Sequence, residues 1–427
     1  MNSTRIGRLI LELKHDYMGV TGEKTCDISK MISVLKENGR YRQFAESMEE
    51  LFSLIECTYK DNYVLLRYTD FTTLYSTMSP EKYWSYCDGI YRECRSLVLD
   101  IENEKTIIHG YDKFFNVGEL QETSIDIVRE KVSNAKVFEV TDKLDGSMLL
   151  ATMTDEGEIV TATSHSLNAD TSWHLELGNS MLYTDENIIH MMRDRRGYTF
   201  VFEMISEFDP HVVKYDPSQN GLYLIGVRTS HGTMLTYKTV LEIAKKYHVR
   251  STVRFDMSLD DIMNARDSKR SDEAEGFVVR VDNDLYKIKY TEYVMMHKIL
   301  GSIISPNAVI DAIARDIFDD FCSRVPDSYK PRVYQIADTV YTCENELTKY
   351  AHIMAETICA EHDNIADRMR AVNAIPKMLQ SSVRNAIVGR PVSLFAKNYR
   401  PKLNYIEDVL FLIKQQKHKL IYYGKTI

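Results

Sequence analysis

The chain has 427 residues, enough for two to three domains, and its 44% hydrophobic and 27% charged content is that of an ordinary globular protein. No apolar run approaches the ~18 residues that span a bilayer, so no membrane partner is expected. A net charge of −9 argues by itself against a nucleic-acid partner, but the charge is uneven. From Arg368 to Ile427 there are twelve Lys and Arg against Glu407 and Asp408, so this tail carries +10 and the remainder −19. A basic end on an acidic body fits a polyanionic partner or, equally, a solvated helical surface.

In chain order, "MNSTRIGRLILELKHDY" reads as an amphipathic helix with Ile6, Leu9, Ile10 and Leu13 on one face. Charges inside its apolar stretch and the lack of a small-residue cleavage pattern argue against a signal peptide. Residues 1–60 are expected to be mostly helical. From Tyr63 to about Tyr290 strand patterns dominate, among them "CRSLVLDIE", "KVFEVT", "SMLLATMT", "YTFVFEMI", "GFVVRV" and "LYKIKY". Turn signals at Asp155-Glu156-Gly157 and Asp282-Asn283-Asp284 suggest hairpins, and helical stretches such as "TVLEIAKKYHV" interrupt the strands. The fold class is α+β, with mostly antiparallel sheets and flanking helices. After about Leu300 the spacing turns helical and Pro306, Pro326, Pro331, Pro376, Pro391 and Pro401 punctuate it. The expected division is 1–300 and an all-helical domain 301–427 carrying the basic tail. Seven scattered cysteines without a C-x-x-C pair point to a reduced, cytoplasmic interior rather than to zinc or disulfides.

Chemistry concentrates in the strand region. Lys143, in "VTDKLDGSMLL", ends a strand and precedes Asp145-Gly146. A free lysine is protonated near its pKa of about 10.4 and becomes a nucleophile only where cations or burial lower that value. Lys287 and Lys289, two apart in a strand, share one face, where they would favour phosphate and depress a third lysine. Glu203 and Glu275 adjoin two further strands and are suited to hold Mg²⁺ through water or to orient a ribose hydroxyl. Arg95 begins another apolar strand. Each element is ordinary alone; K-x-D-G arises by chance in about one in ten chains of this length.

In this order the set resembles the covalent nucleotidyltransferases, the ATP-dependent ligases and capping enzymes, and is most similar to the phage RNA ligase 1 family of tRNA-repair enzymes. "ECRSLVLD", "DKFFNVGE", "FEMISEFDPHVVKY" and "YKIKYTEYVMMH" resemble further motifs of that family, over about residues 60–300. The resemblance implies a nucleotidyltransferase domain and an ATP-dependent joining of RNA 3′-OH and 5′-phosphate ends. Lys143 would form lysyl-AMP, the AMP would pass to the RNA 5′-phosphate, and the 3′-hydroxyl would displace it. Catalytic roles fall to Lys143, Glu203, Glu275, Lys287 and Lys289. These five, with Arg95, Lys113, Gly146 and the ring residues Tyr68 and Phe115, would bind nucleotide. Asp319, with Glu203 and Glu275, would serve Mg²⁺; the alternative for Asp319 is a solvated helix residue paired with Asp320. The implied partner is RNA, a tRNA with a broken anticodon loop, in the cytoplasm (the host's, if viral), with an end-healing kinase/phosphatase alongside.

Three departures stand out: Ser96 replaces a family glycine, Asp209-Pro210 replaces Asn-Arg, and "TSHS" puts Ser164 where the family has a lysine, leaving His165 as a substitute or a plain turn residue. "YYGKTI" is not a phosphate loop, since Lys419 stands at its first glycine position. The rival readings are a DNA ligase or capping guanylyltransferase, and a catalytically silent RNA-binding protein.

Overall fold

The computed structural model describes residues 1, 3–69, 78–303, 305–323, 325, 329–395 and 400–422, with the side chains of 299, 302, 303 and 417–422 left aside. The "GKT" of the C-terminus therefore lies outside the described residues. The chain divides into two compact units, Met1–Met295 and Met296–Ile427.

The first unit opens with three helices, Arg5–Thr21, Ile28–Glu37 and Arg42–Phe52. The first is capped by the Thr4 side chain, which accepts from Gly7 N, and its buried stripe contains Ile6, Ile10, Leu13 and Tyr17. Thirteen strands follow among the described residues: β1 (Ile55–Lys60), β2 (Tyr63–Tyr68), β3 (Arg95–Asp100), β4 (Lys105–Ile108), β5 (Phe115–Asn116), β6 (Phe138–Lys143), β7 (Ser147–Met153), β8 (Ile159–Ala162), β9 (Thr199–Ile205), β10 (Gly221–Arg228), β11 (Arg254–Phe255), β12 (Gly276–Val281) and β13 (Asp284–Lys289). They build three sheets in the orders β1-β2-β3-β4, β10-β9-β7-β8 and β11-β6-β12-β13-β5. Every pairing is antiparallel except β13 with β5. The α+β expectation with antiparallel sheets is borne out.

Alternation within strands decides where the core lies. Leu149, Ala151, Phe200, Phe202 and Leu224 face the helices Trp173–Thr184, Glu186–Arg193 and Tyr237–Tyr247 in one apolar cluster. Leu65, Val98, Ile108, Leu150 and Val201 form a second cluster, joining residues of the first two sheets. The N-terminal helices pack with β2 and β3 through Leu51, Leu54, Leu66 and Leu97. One departure from the family pattern has a structural consequence. Ser96 has φ +64°, a left-handed conformation that favours glycine, and its Oγ is buried without a hydrogen-bond partner.

Every regular element among the described residues of the second unit is a helix, the longest being the 32-residue helix Lys330–Glu361. Val340, Cys343, Leu347, Leu379, Val383 and Val409 form its core. Prolines stand at helix starts at 306, 331 and 376, where a missing N–H costs nothing.

Candidate active site

Lys143 is the last residue of β6 and lies opposite Gly276 of β12. β12 pairs in turn with β13, setting Lys287 opposite Val278 and Lys289 opposite Gly276. Three lysines from two strands therefore approach the start of β12, where Glu275 waits. The glycine next to Glu275 is required: a Cβ at Gly276, φ +154°, would lie 2.3 Å from Ile288 O. Glu275 is 2% exposed, and each of its oxygens holds one ammonium, Oε2 that of Lys143 at 2.7 Å and Oε1 that of Lys289 at 2.8 Å.

The turn after Lys143 is fixed by four groups. Asp145 N donates to Tyr215 OH at 2.8 Å, and the Asp145 carboxylate accepts from Val213 N at 2.9 Å and Tyr293 OH at 2.8 Å. Gly146 N donates to Glu203 Oε1 at 3.1 Å. Gly146 is needed because a Cβ would lie 2.3 Å from Met204 O; the close approach is to β9 itself. Ser147 Oγ then donates to Asp209 at 2.5 Å, and His211 and His174 approach the same carboxylate at 3.3 and 3.5 Å. Asp209, the departure from the family's Asn-Arg, is thus a buried anchor. Burial opposes its charge, but His174, His211 and Ser147 outweigh that and hold it well below the usual carboxylate range.

Arg95, Lys143, Glu203 and Lys287 line one cleft. Its apolar walls are Phe114, Leu144, Met148, Ile225 and Val278, a combination suited to a planar base with phosphates nearby. Arg95 stacks on Phe114 at 5.1 Å and leaves Nη1 buried without a hydrogen-bond partner, while Lys287 lies 4.6 Å from the same ring.

Electrostatics reverse one expectation. Burial opposes the charge of Lys143, but Glu275 and Glu203 outweigh it and its pKa is raised. The depressed lysine is Lys287, lowered well below the ordinary value by burial and by Arg95, Lys113, Lys143 and Lys289. Lys287 and Lys289 do not together depress Lys143, because Glu275 holds Lys143 as well as Lys289 and, with Glu203, outweighs them. Burial and Glu275 raise the Glu203 pKa against the pull of Lys143. Burial opposes ionisation of Glu275 as well, but Lys143 and Lys289 win and its pKa is lowered.

Six expected nucleotide contacts are not among the residues lining this cleft: Glu275 and Lys289, which meet it through their ion pairs, and Tyr68, Lys113, Phe115 and Gly146. Phe115 pairs with Tyr286 along β5, and alternation turns it away from the Phe114 side. It is 3% exposed, 5.3 Å from Trp84, which lies 5.1 Å from Tyr68. Lys113 sits among these rings, its Nζ 5.6, 4.9 and 5.3 Å from Tyr68, Trp84 and Phe115, and reaches the site as charge felt by Lys287. Gly146 acts through β9. Phe114, Tyr111 and Tyr237 are the aromatic residues that line the cleft, and the sequence analysis missed all three. Thr163 Oγ1 accepts from the backbone of His165 and Ser166, so "TSHS" is a side-chain-stabilised turn.

No group of three or more His, Cys, Asp or Glu is placed to hold a metal among the described residues. Both oxygens of Glu275 are engaged, leaving Glu203 as the glutamate that lines the cleft. One open carboxylate suits Mg²⁺, which keeps most of its waters and takes substrate phosphate oxygens as ligands. Asp319 belongs to the second unit, exposed with Asp320 in the first turn of the helix Phe318–Ser323, where carboxylates favour the helix N-terminus.

Comparison with known proteins bears on this arrangement. Residues 93–299 match the model of a family described as RNA ligase. The chain is 27% identical over 204 residues to tRNA ligase 1 of Schizosaccharomyces pombe, covering 43% of this chain and 26% of that protein. It is 25% identical over 247 residues to a tRNA ligase of Candida albicans, covering 45% of this chain and 28% of that protein. The chain thus spans about a quarter of these relatives' length. Among solved structures it is similar to a Naegleria gruberi RNA ligase mutant with ATP and Mn, at 18% identity and TM-score 0.35, over 45% of this chain and 59% of that one. The likeness to the phage RNA ligase 1 group is borne out: residues 93–299, just under half of the chain, resemble the RNA ligase family.

Proposed function

We propose that the protein is an ATP-dependent RNA ligase that joins 3′-OH and 5′-phosphate ends through lysyl-AMP and RNA-adenylate intermediates. The observation carrying this reading is the placement of Lys143. It projects from a strand end beside a partly apolar cleft, held by Glu275 and flanked by Arg95, Glu203 and Lys287.

In the first step Lys143 Nζ gives up a proton and bonds to the α-phosphorus of ATP. The bond from that phosphorus to the bridging oxygen breaks and pyrophosphate leaves. Glu275 orients the ammonium, whose proton passes to solvent water before the attack. Arg95 supplies positive charge where negative charge develops, and bound phosphate favours the charged form of Lys287, which adds to it. Mg²⁺, when bound, supplies more of that charge, with Glu203 holding it through water. The RNA 5′-phosphate oxygen then attacks the same phosphorus and releases Lys143. Finally the RNA 3′-hydroxyl attacks the activated 5′-phosphate and AMP leaves.

Residues 301–427 complete the proposal as a substrate-selecting domain, with broken tRNA as the RNA and an end-healing kinase/phosphatase upstream. Exposed Arg370, Lys377 and Arg390 support it. All seven cysteines are free thiols, which supports a cytoplasmic setting. Among the described residues no helix is long and apolar enough to cross a membrane. The test is to incubate the protein with labelled ATP or GTP and then with single-stranded RNA or nicked DNA. ATP label that passes to RNA 5′-phosphate ends supports the reading; label taken from GTP alone contradicts it.

A further inference from the structure

The nucleotide cleft contains one polar side chain that neither the family motifs nor the charge network explains. Thr252 is 6% exposed, lines the cleft, and its Oγ1 has no hydrogen-bond partner. A buried hydroxyl left unpaired is destabilising, whereas valine would fill the same shape without that cost. Its place in the fold is defined. β11 pairs with β6 so that Arg254 opposes Thr141, and Asp142 N donates to Val253 O at 3.0 Å. Continuing that register by one residue sets Thr252 opposite Lys143. Directly opposed residues of an antiparallel pair point to the same face, so Thr252, Lys143, Thr141 and Val278 look into one space.

The hydroxyl is held in place from behind. The Asp142 carboxylate accepts from Val253 N at 2.7 Å, fixing the backbone next to Thr252. Asp142 also borders the cleft, and its negative charge favours a donor over a carbonyl oxygen at this edge. Adenine presents an exocyclic amine there; guanine presents an oxygen at the same ring position. Phe114, Met148 and Val278 provide walls for a flat ring but no hydrogen bonds through their side chains.

We propose that Thr252 Oγ1 accepts a hydrogen bond from the 6-amino group of adenine and so selects ATP for the reaction at Lys143. This rests on the ligase reading above and assigns its base-specificity determinant. Thr252 touches no reacting atom; it acts on which nucleotide is held.

The test compares ATP, GTP and purine riboside triphosphate, which lacks the 6-amino group, as donors for covalent nucleotide transfer to the full-length protein. Wild type, Thr252→Ser and Thr252→Val are followed by intact mass against time and nucleotide concentration. Wild type and Thr252→Ser, which keeps the hydroxyl, are expected to prefer ATP over purine riboside triphosphate by about tenfold in kcat/KM. Thr252→Val is expected to erase that preference through KM for ATP, leaving the maximal rate within about threefold. An adduct whose ATP preference survives Thr252→Val overturns this assignment alone. So does a Thr252→Val protein that loses rate equally with ATP and the analogue. No adduct in the wild type with any of the three nucleotides overturns the ligase reading, and the assignment with it.

Discussion

Lys143 Nζ lies 2.7 Å from Glu275 Oε2, so the proposed nucleophile rests in an ion pair with a buried carboxylate. The same glutamate holds Lys289 at 2.8 Å, making Glu275 the hub of the site. Replacing it leaves two ammonium groups facing a buried neutral amide. Glu275→Gln is therefore expected to lower unfolding free energy by about 3 kcal/mol, as breaking one side of a buried pair does, measured by urea denaturation. Adding Lys289→Met to that variant should recover part of the loss. An unchanged midpoint in Glu275→Gln would show that Glu275 is not the counter-charge.

The raised Lys143 pKa fixes the sign of a pH dependence. The neutral amine reacts, so the free protein is almost wholly in the unreactive ammonium form at neutral pH. Adduct formation is expected to accelerate by about tenfold per pH unit while pH stays below that pKa, in single-turnover experiments at saturating ATP. A rate independent of pH between 6 and 9 (roughly the range in which ordinary lysine stays protonated) would mean the proton leaves before the measured step.

Ser96 gives a stability prediction of opposite sign. Its left-handed φ of +64° and its unpartnered buried hydroxyl are both unfavourable for serine. Ser96→Gly is expected to stabilise the protein by about 1 kcal/mol, read as a higher denaturation midpoint with unchanged cooperativity. A lower midpoint would mean the hydroxyl is bonded.

Gly146 allows no such freedom. Its missing Cβ is what lets the turn lie against Met204 O. Gly146→Ala is expected to cost about 2 kcal/mol and to slow adduct formation strongly, because the turn that carries Lys143 must move off β9. Full activity in that variant would show that the turn is adjustable.

For the second unit, replacing Arg370, Lys377 and Arg390 together by Glu should weaken tRNA sealing while leaving adduct formation unchanged. Wild-type sealing should itself fall steeply with salt. Equal sealing by both proteins would make these cations a solvated surface.

The sequence exposed the parts of the site that depend on local order. Lys143 before Asp145-Gly146, and Lys287 two residues before Lys289 on one strand, are consequences of turn chemistry and alternation, both local. It did not expose what depends on distant pairing. Two adjacent phenylalanines, 114 and 115, are indistinguishable until β5 lies against β13 and only Phe114 meets Lys287. Thr252 has no local signal, since it gains its place from a segment bonded to β6 across 111 residues. The charge balance was misread for the same reason. Which lysines share Glu275 is decided by the β6-β12-β13 register, and that register pairs Lys289 with Glu275 and leaves Lys287 depressed.

The most direct test of the central claim is the intact mass of the protein after incubation with ATP and Mg²⁺. One added AMP is expected on the wild type, lost on adding RNA with a 5′-phosphate, and none on Lys143→Ala. An adduct that persists in Lys143→Ala, or a wild type that gains no mass, would contradict that claim.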